Sequence, residues 1–150
     1  VADVPRVTRV LGRLSGHAAG GDDLATDMEE RLAEVGRLGS ETSVRAAVVL
    51  GGTPPWVAGA DSYLGELLTL AGGVNVFSDL DLSHGPVSPE VFLVRDLELL
   101  VLMPGAEPPG GSEDIPVLRL PRGIDIPGPA LPDHAEWLQR ELAVRGGPDR

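Results

Sequence analysis

Short apolar segments alternate with helical patterns from residue 44 onward. VRAAVVL (44–50) and LELLVLM (97–103) are nearly unbroken apolar runs, which are typical of strands buried on both faces of a parallel sheet. VNVF (74–77) and PVLRL (116–120) predict two further strands. Because helices are predicted between most of these strands, the order indicates an α/β, Rossmann-like fold with a short, mostly parallel sheet and helices on both faces.

Two helices between the strands are predicted from their caps as well as from their apolar spacing. Asp61 or Ser62 can cap a helix over residues 62–71. Ser88-Pro89-Glu90 combines a capping hydroxyl, a proline suited to a first helical turn and an acidic residue at a helix start. A short helix is therefore predicted to begin there and to end near Arg95.

The first forty residues predict two helices joined by a loop. Apolar residues recur at helical spacing over residues 4–16. HAAGGDD (17–23) is predicted to be a loop, and Asp22 or Asp23 is predicted to cap a second, long helix whose apolar stripe ends at Leu38.

The last helix is predicted to start at Asp133. With Glu136 three residues later, Asp133 resembles a capping box. GGPDR (146–150) is predicted to be a frayed tail.

Four loops follow the predicted strands, and ligands of open α/β sheets bind beyond the carboxyl ends of strands. The rule nominates residues 51–61, 78–87, 104–114 and 121–129. The predicted ligand-binding residues in and beside these loops are Pro55, Trp56, Gly59, Ser62 and His84.

Trp56 is the most informative of these residues. It follows two prolines in a chain with only 3% aromatic residues, so the core does not need it. Two interpretations remain open: the indole packs on its own loop, or it offers a flat apolar face to a large ligand.

Composition excludes several classes of function. The net charge of −11 argues against a nucleic-acid partner, and all twelve basic residues are arginine. There is no cysteine, so disulfides, thiolate metal sites and cysteine nucleophiles are excluded. No apolar run has the roughly 20 residues that a membrane helix needs. The chain shows no signal peptide and does not begin with Met, so we expect a processed or excised piece.

Catalytic motifs are absent from the sequence. It contains no GxSxG, Walker A or HExxH pattern. His17, His84 and His134 are isolated from one another and from other potential ligands. We therefore expect no enzymatic activity, no resident cofactor and no metal site.

Four ordered segments resemble the helical-backbone substrate-binding proteins that deliver cobalamin, haem or ferric siderophores to ABC importers. They are LGRLSG with the acid-rich helix after it, PPWVAGADSYLGELLTLAGGVNVFSDL, VSPEVFLVRDLELLVLM and IPGPALPDHAEWLQREL. In the third segment Leu97 and Glu98 depart from the family's D-P-D pattern. The resemblance covers most of residues 7–144.

The resemblance implies the C-terminal lobe of such a protein. Residues 1–40 would be the end of the first lobe and the inter-lobe helix, and residues 41–150 would be the C-terminal lobe. The loop around Trp56 would face the ligand, with cobalamin favoured over a ferric siderophore or haem. Glu90 would dock on arginines of the ABC permease. Localisation would be periplasmic or otherwise extracytoplasmic, at the membrane through the transporter.

Only one of the family's two lobes is recognisable in this chain. Three alternatives therefore remain: a homodimer that rebuilds a cleft, a shortened protein-interaction module without a small-molecule ligand, and an enzyme with nitrogenase-like lobe architecture. The absence of cysteine weighs against the last of these.

Overall fold

A computed structural model describes residues 1–146 as an α/β fold with one central sheet. The helices are α1 (Asp3–Leu14), α2 (Ala18–Gly39), α3 (Tyr63–Leu70), α4 (Val91–Val94) and α5 (Leu131–Arg145). The strands are β1 (Val44–Gly51), β2 (Trp56–Ala58), β3 (Gly73–Asn75), β4 (His84–Pro86), β5 (Leu99–Leu102) and β6 (Val117–Arg119). Of the predicted tail, residues 147–150 lie outside the described residues.

The sheet has the order β4-β2-β1-β5-β6, and β3 pairs with the first half of β1. Strands β1, β3, β5 and β6 run parallel, whereas β2 and β4 are antiparallel to their neighbours. The predicted fold class, an α/β fold with a mostly parallel sheet, is confirmed.

Strand β1 is covered on both faces, as its apolar run predicts. Val44, Ala46 and Val48 pack in a core with α2, α3 and α5. Ala47 and Val49 point the other way, into a second core that contains Phe77 and Phe92. The alternation of a strand places successive side chains in different layers, so the sheet lies between a thick helical layer and a thinner layer of α4 and loops.

The predicted loop at residues 17–23 is wrong, and so is a cap at Asp22 or Asp23. Helix α2 begins at Ala18, after His17. The glycines belong to the packing of the two helices: a Cβ on Gly12 would lie 2.7 Å from the Cα of Gly21. These residues let the two backbones approach closely, which a glycine-rich loop pattern does not reveal.

Two of the predicted loops contain strands. Residues 56–58 form β2 and residues 84–86 form β4, so Ala58 faces His84 and Trp56 faces Pro86 across an antiparallel ladder. Each strand has only three residues, which is too short for a period-two pattern. The two predicted loops are thereby joined to each other and to β1.

Two predicted caps are also wrong. Helix α5 begins at Leu131 after Ala130, so Asp133 lies in its first turn and forms no capping box with Glu136. Both carboxylates instead contact the guanidinium of Arg31 on α2, at 2.5 and 2.7 Å.

The second wrong cap belongs to α4, where the N-cap residue is Glu90 and no side chain caps the helix. The hydroxyl of Ser88 donates to the Glu90 carboxylate instead.

Candidate functional site

A cleft of about 530 Å³ opens at the carboxyl ends of β1 and β5. Each of the four predicted loops contributes to its wall. The lining residues are Leu50, Ala58, Asp61, Ser62, Tyr63, Leu64, Ser83, His84, Met103, Pro104 and Asp125. The cleft is therefore located where the topology of a parallel sheet places ligand sites.

Ser62 lies in the cleft wall and caps α3, so of the two predicted caps, Asp61 and Ser62, the second is confirmed. Its hydroxyl accepts a hydrogen bond from the Gly65 amide at 2.8 Å and donates one to the Gly59 carbonyl at 2.9 Å. The residue is only 8% exposed. Both hydrogen-bonding roles of the hydroxyl are thus used inside the protein, and its predicted role towards a ligand stays a prediction.

Gly59 is buried behind the cleft and does not line it. Its amide donates to the Ser83 carbonyl at 2.9 Å. An added Cβ would lie 2.0 Å from the Leu82 carbonyl oxygen. Gly59 therefore holds the segment that carries Ser83 and His84 against the end of β2.

Asn75 is a buried residue that was not predicted as a site residue, although it lies in the second of the four segments that carry the family resemblance. Its amide nitrogen donates to the carbonyls of Ala58 at 3.0 Å and Gly59 at 3.3 Å. Its side-chain oxygen accepts from the Phe77 amide at 3.0 Å. The asparagine thereby ties the end of β3 to the end of β2, directly behind the cleft.

Trp56 packs on its own loop, as the first interpretation expects, and the second, a face offered to a ligand, stays a prediction. A Cβ on Gly52 would lie 3.1 Å from the indole Cδ1 atom, so the ring rests on its own loop. The side chain is nevertheless 41% exposed. Its ring centre lies 5.9 Å from that of His84, which lines the cleft. Trp56 and His84 thus form a half-exposed pair of rings beside the cleft.

Pro55 and Glu90 lie away from this cleft. Pro55 is buried and lines a separate depression with Pro89 and the loop 105–110. Glu90 is exposed. Of the predicted site residues, Ser62 and His84 therefore lie together at the cleft, and Trp56 lies beside it next to His84. Pro55 lies at the separate depression.

The sequence did not predict Tyr63 and Asp125 as site residues. Tyr63, the only tyrosine of the chain, follows the capping serine, lines the cleft and packs partly against the main core. Its hydroxyl is buried and has no hydrogen-bond partner within residues 1–146. Burial, with a smaller effect of the Asp125 carboxylate, raises the pKa of Tyr63 to about 12. The phenol is therefore neutral at physiological pH and keeps its proton to donate.

Residues 1–146 contain neither a metal-binding cluster nor a membrane-spanning helix. No three His, Asp or Glu side chains in this part of the chain converge so that they could hold a metal ion. None of its helices has the length and apolar character needed to cross a membrane.

Comparison with known proteins identifies similar chains. No family model matches the sequence. The vitamin B12-binding protein of Photorhabdus laumondii is 24% identical over 131 residues, which are 87% of this chain and 46% of the relative. This chain therefore spans about half the length of the curated relative that it matches.

Solved structures have the same fold. The periplasmic vitamin B12 binding protein BtuF of Vibrio cholerae superimposes with a TM-score of 0.82 at 20% identity, over 97% of this chain and 62% of that protein. The ABC-type Fe³⁺-hydroxamate transport system of Saccharomonospora viridis gives 0.71 at 25% identity, over 92% and 54%. The periplasmic haem-binding protein RhuT of Roseiflexus gives 0.79 at 19% identity, over 95% and 62%.

The resemblance inferred from the four sequence segments is confirmed, because the similar proteins are vitamin B12-binding proteins, a periplasmic haem-binding protein and an ABC-type Fe³⁺-hydroxamate transport system. The chain has the lobe fold of periplasmic binding proteins such as those for vitamin B12 and haem.

Proposed function

We propose that the chain is the C-terminal lobe of an extracytoplasmic substrate-binding protein of an ABC importer, and that it has no catalytic activity. Residues 41–150 form the lobe, and residues 1–40 carry the end of a first lobe and the inter-lobe helix. The ligand is a metal chelate. Cobalamin is the first candidate, with a ferric siderophore or haem as the alternatives.

The cleft at the carboxyl ends of β1 and β5 is the observation that carries this proposal. Its volume of about 530 Å³ lies within the range of some 300–1,000 Å³ that pockets for small molecules commonly enclose. The cleft is therefore large enough to receive one side of a larger ligand. Trp56 and His84 add aromatic surface beside it. The similarity to vitamin B12-binding proteins in both sequence and fold supports cobalamin as the first ligand to test.

The binding experiment uses the tryptophan at the cleft as its reporter. The protein is titrated with cyanocobalamin while tryptophan fluorescence is followed, and a ferric hydroxamate and haem are added as competitors. Because Trp137 is half-buried on α5, away from the cleft, Trp137→Phe leaves Trp56 as the only indole. We expect saturable quenching in Trp137→Phe and its loss in Trp56→Phe. A folded protein that responds to no chelate contradicts the proposal.

Glu90 is proposed as the contact with the permease. It is exposed at the start of α4, and a carboxylate held at a helix start can form charge-assisted hydrogen bonds with arginine. The test is co-purification with the cognate permease complex for wild type and Glu90→Gln, with Glu30→Gln on α2 as a matched control. Equal recovery of Glu90→Gln and the control removes Glu90 from the interface.

A protein-interaction module, or a homodimer that rebuilds a cleft, is the second candidate. One observation favours it: α1 exposes Val7, Val10, Leu11 and Leu14, of which Leu14 is 80% exposed. An apolar face of this kind commonly marks a protein contact. The test is light scattering across a concentration series with Val10→Glu against the matched change Val144→Glu. If wild type and Val144→Glu are oligomeric and Val10→Glu is monomeric, association through α1 is supported. A monomeric wild type excludes the homodimer.

A further inference from the structure

The charged side chains in the cleft wall are two carboxylates. Asp61 and Asp125 are both exposed and line the cleft. Neither forms an ion pair within residues 1–146, whereas most arginines of that part of the chain are paired elsewhere. Arg122 lines an adjoining depression with Asp125 and is also not paired with it. The negative charge of the cleft is therefore not neutralised by its own wall.

A second polar group in the cleft also lacks a partner. The Tyr63 hydroxyl is buried and makes no hydrogen bond to any described residue. A buried hydroxyl without a partner is costly, and most such groups are satisfied by protein, water or ligand. The remaining wall is largely apolar and includes Leu50, Ala58, Leu64 and Met103. The cleft thus offers an apolar surface with two exposed carboxylates beside it, and a neutral phenol is buried in its wall.

We propose that Asp61 and Asp125 make the cleft selective for chelates that present positive charge or hydrogen-bond donors, and against chelates that present carboxylates. This inference rests on the proposed chelate-binding function of the cleft. The side-chain amides of a corrin ring and the ammonium group of a cationic ferric hydroxamate both meet the requirement. Haem, with two propionates, and a polyanionic ferric catecholate do not.

The expected size of the effect follows from Coulomb's law. One unit charge about 6 Å from a carboxylate, in a medium between bulk water and a protein surface, changes the binding free energy by about 1 to 1.5 kcal/mol. That is about tenfold in affinity for each charge pair. Salt reduces the effect, because the Debye length is about 8 Å at physiological ionic strength.

The test compares ligands that differ by one charge. For a corrinoid, the pair is cyanocobalamin and its monocarboxylic acid, in which one side-chain amide is hydrolysed. For a hydroxamate, the pair is ferrioxamine B and its N-acetyl derivative, which lacks the ammonium charge. Dissociation constants are measured for wild type, Asp61→Asn, Asp125→Asn and the double variant, at low and at high salt. Asp23→Asn, an exposed and unpaired aspartate on α2, is the matched control.

We expect wild type to prefer the less anionic member of a pair by about tenfold for each carboxylate that the differing group approaches, and high salt to reduce the preference. The double variant is expected to bind both members within about twofold, while Asp23→Asn retains the wild-type ratio. Thermal unfolding of each variant verifies that it is folded.

Three results overturn the charge selectivity and leave chelate binding intact. They are equal affinities of wild type for both members of a pair, a ratio of dissociation constants that is unchanged in the double variant, and a preference of wild type for haem. A folded wild-type protein that binds none of the chelates overturns both proposals.

Discussion

Gly59→Ala tests whether the end of β2 is the rigid support of the cleft. A methyl group at this position would lie 2.0 Å from the carbonyl oxygen of Leu82 and 3.1 Å from that of Leu80. Both are backbone atoms, so no side-chain rotation relieves the clash. To reach a separation of 3.0 Å, residues 80–83 must move by about 1 Å relative to β2.

The cost can be estimated from the contacts that this movement disturbs. Overpacking of a buried site usually costs about 1–3 kcal/mol. Loss of the 2.9 Å hydrogen bond from the Gly59 amide to the Ser83 carbonyl adds about 1 kcal/mol. The lower entropy of alanine in the unfolded chain offsets about 0.4–1 kcal/mol. We therefore expect the free energy of unfolding to fall by about 2–3 kcal/mol and Tm by about 5–10 °C.

Urea denaturation followed by circular dichroism measures this change, and Gly110→Ala is the matched control. Gly110 lies in an exposed loop, and a Cβ there meets no heavy atom within 4 Å. The control is expected to be as stable as wild type to within about 0.5 kcal/mol. Because Ser83 and His84 line the cleft, Gly59→Ala is also expected to weaken chelate binding. A free energy of unfolding indistinguishable from that of the control would refute the reasoning.

Three further predictions follow from named contacts. The single tyrosine allows its ionisation to be followed by ultraviolet absorbance: we expect the pKa of Tyr63 to be about 12 in the folded protein and close to 10 in denaturant. Because the folded pKa is the higher one, the unfolded chain releases its proton first. The contribution of Tyr63 to the free energy of unfolding is therefore complete below pH 10 and is lost as the pH rises towards 12. A Tyr63→Phe variant whose free energy of unfolding falls as steeply over this pH range as that of wild type contradicts this. Asn75→Ala removes the hydrogen bonds to Ala58, Gly59 and Phe77 and is expected to lower the free energy of unfolding, measured by urea denaturation, by about 2–3 kcal/mol. A decrease below about 0.5 kcal/mol would show that other hydrogen bonds replace them. The pKa of Glu136 is lowered by its hydrogen bond to Arg31, so this contact stabilises the fold near neutral pH and its contribution is lost as the pH falls below about 4.5. Arg31→Met is expected to reduce the loss of stability between pH 6 and pH 3 by roughly 0.5 kcal/mol, because the pair is partly exposed, and an unchanged loss contradicts the assignment.

The parallel core could be predicted because its strands are apolar on both faces. β1 and β5 appear in the sequence as nearly unbroken apolar runs, and the structure buries both faces of each. Helix α3 was predicted together with its cap at Ser62, because a capping hydroxyl and an apolar stripe are local signals. The position of the cleft followed from the topology of the strands.

Features that depend on another segment could not be predicted. The glycines at the start of α2 are typical of a loop, and their role depends on α1, because Gly21 lies against Gly12. Asp133 and Glu136 have the spacing of a capping box, yet their partner is Arg31, more than a hundred positions away in sequence. Strands β2 and β4 are too short for a pattern and form only because they pair with each other and with β1.

Contacts between segments distant in sequence also divide the candidate site into residues that support the cleft and residues that line it. Ser62 and Gly59 were predicted as site residues, and their polar groups are used, with the side chain of Asn75, to join β2, β3 and α3. The exposed polar groups of the cleft wall that make no ion pair within residues 1–146 are the carboxylates of Asp61 and Asp125, and the hydroxyl of Tyr63 is buried without a partner in that part of the chain.

A residue that builds the wall satisfies its hydrogen bonds inside the protein, whereas a residue that binds a ligand keeps them open. Substitutions of the two groups should therefore differ in their effects. Ser62→Ala removes a cap and should lower the free energy of unfolding by about 0.5–2 kcal/mol. Asp125→Asn should leave the free energy of unfolding within about 0.5 kcal/mol of wild type and change only the affinity for charged chelates. The reverse result, stable Ser62→Ala with altered ligand preference, would assign Ser62 to the ligand and contradict this division.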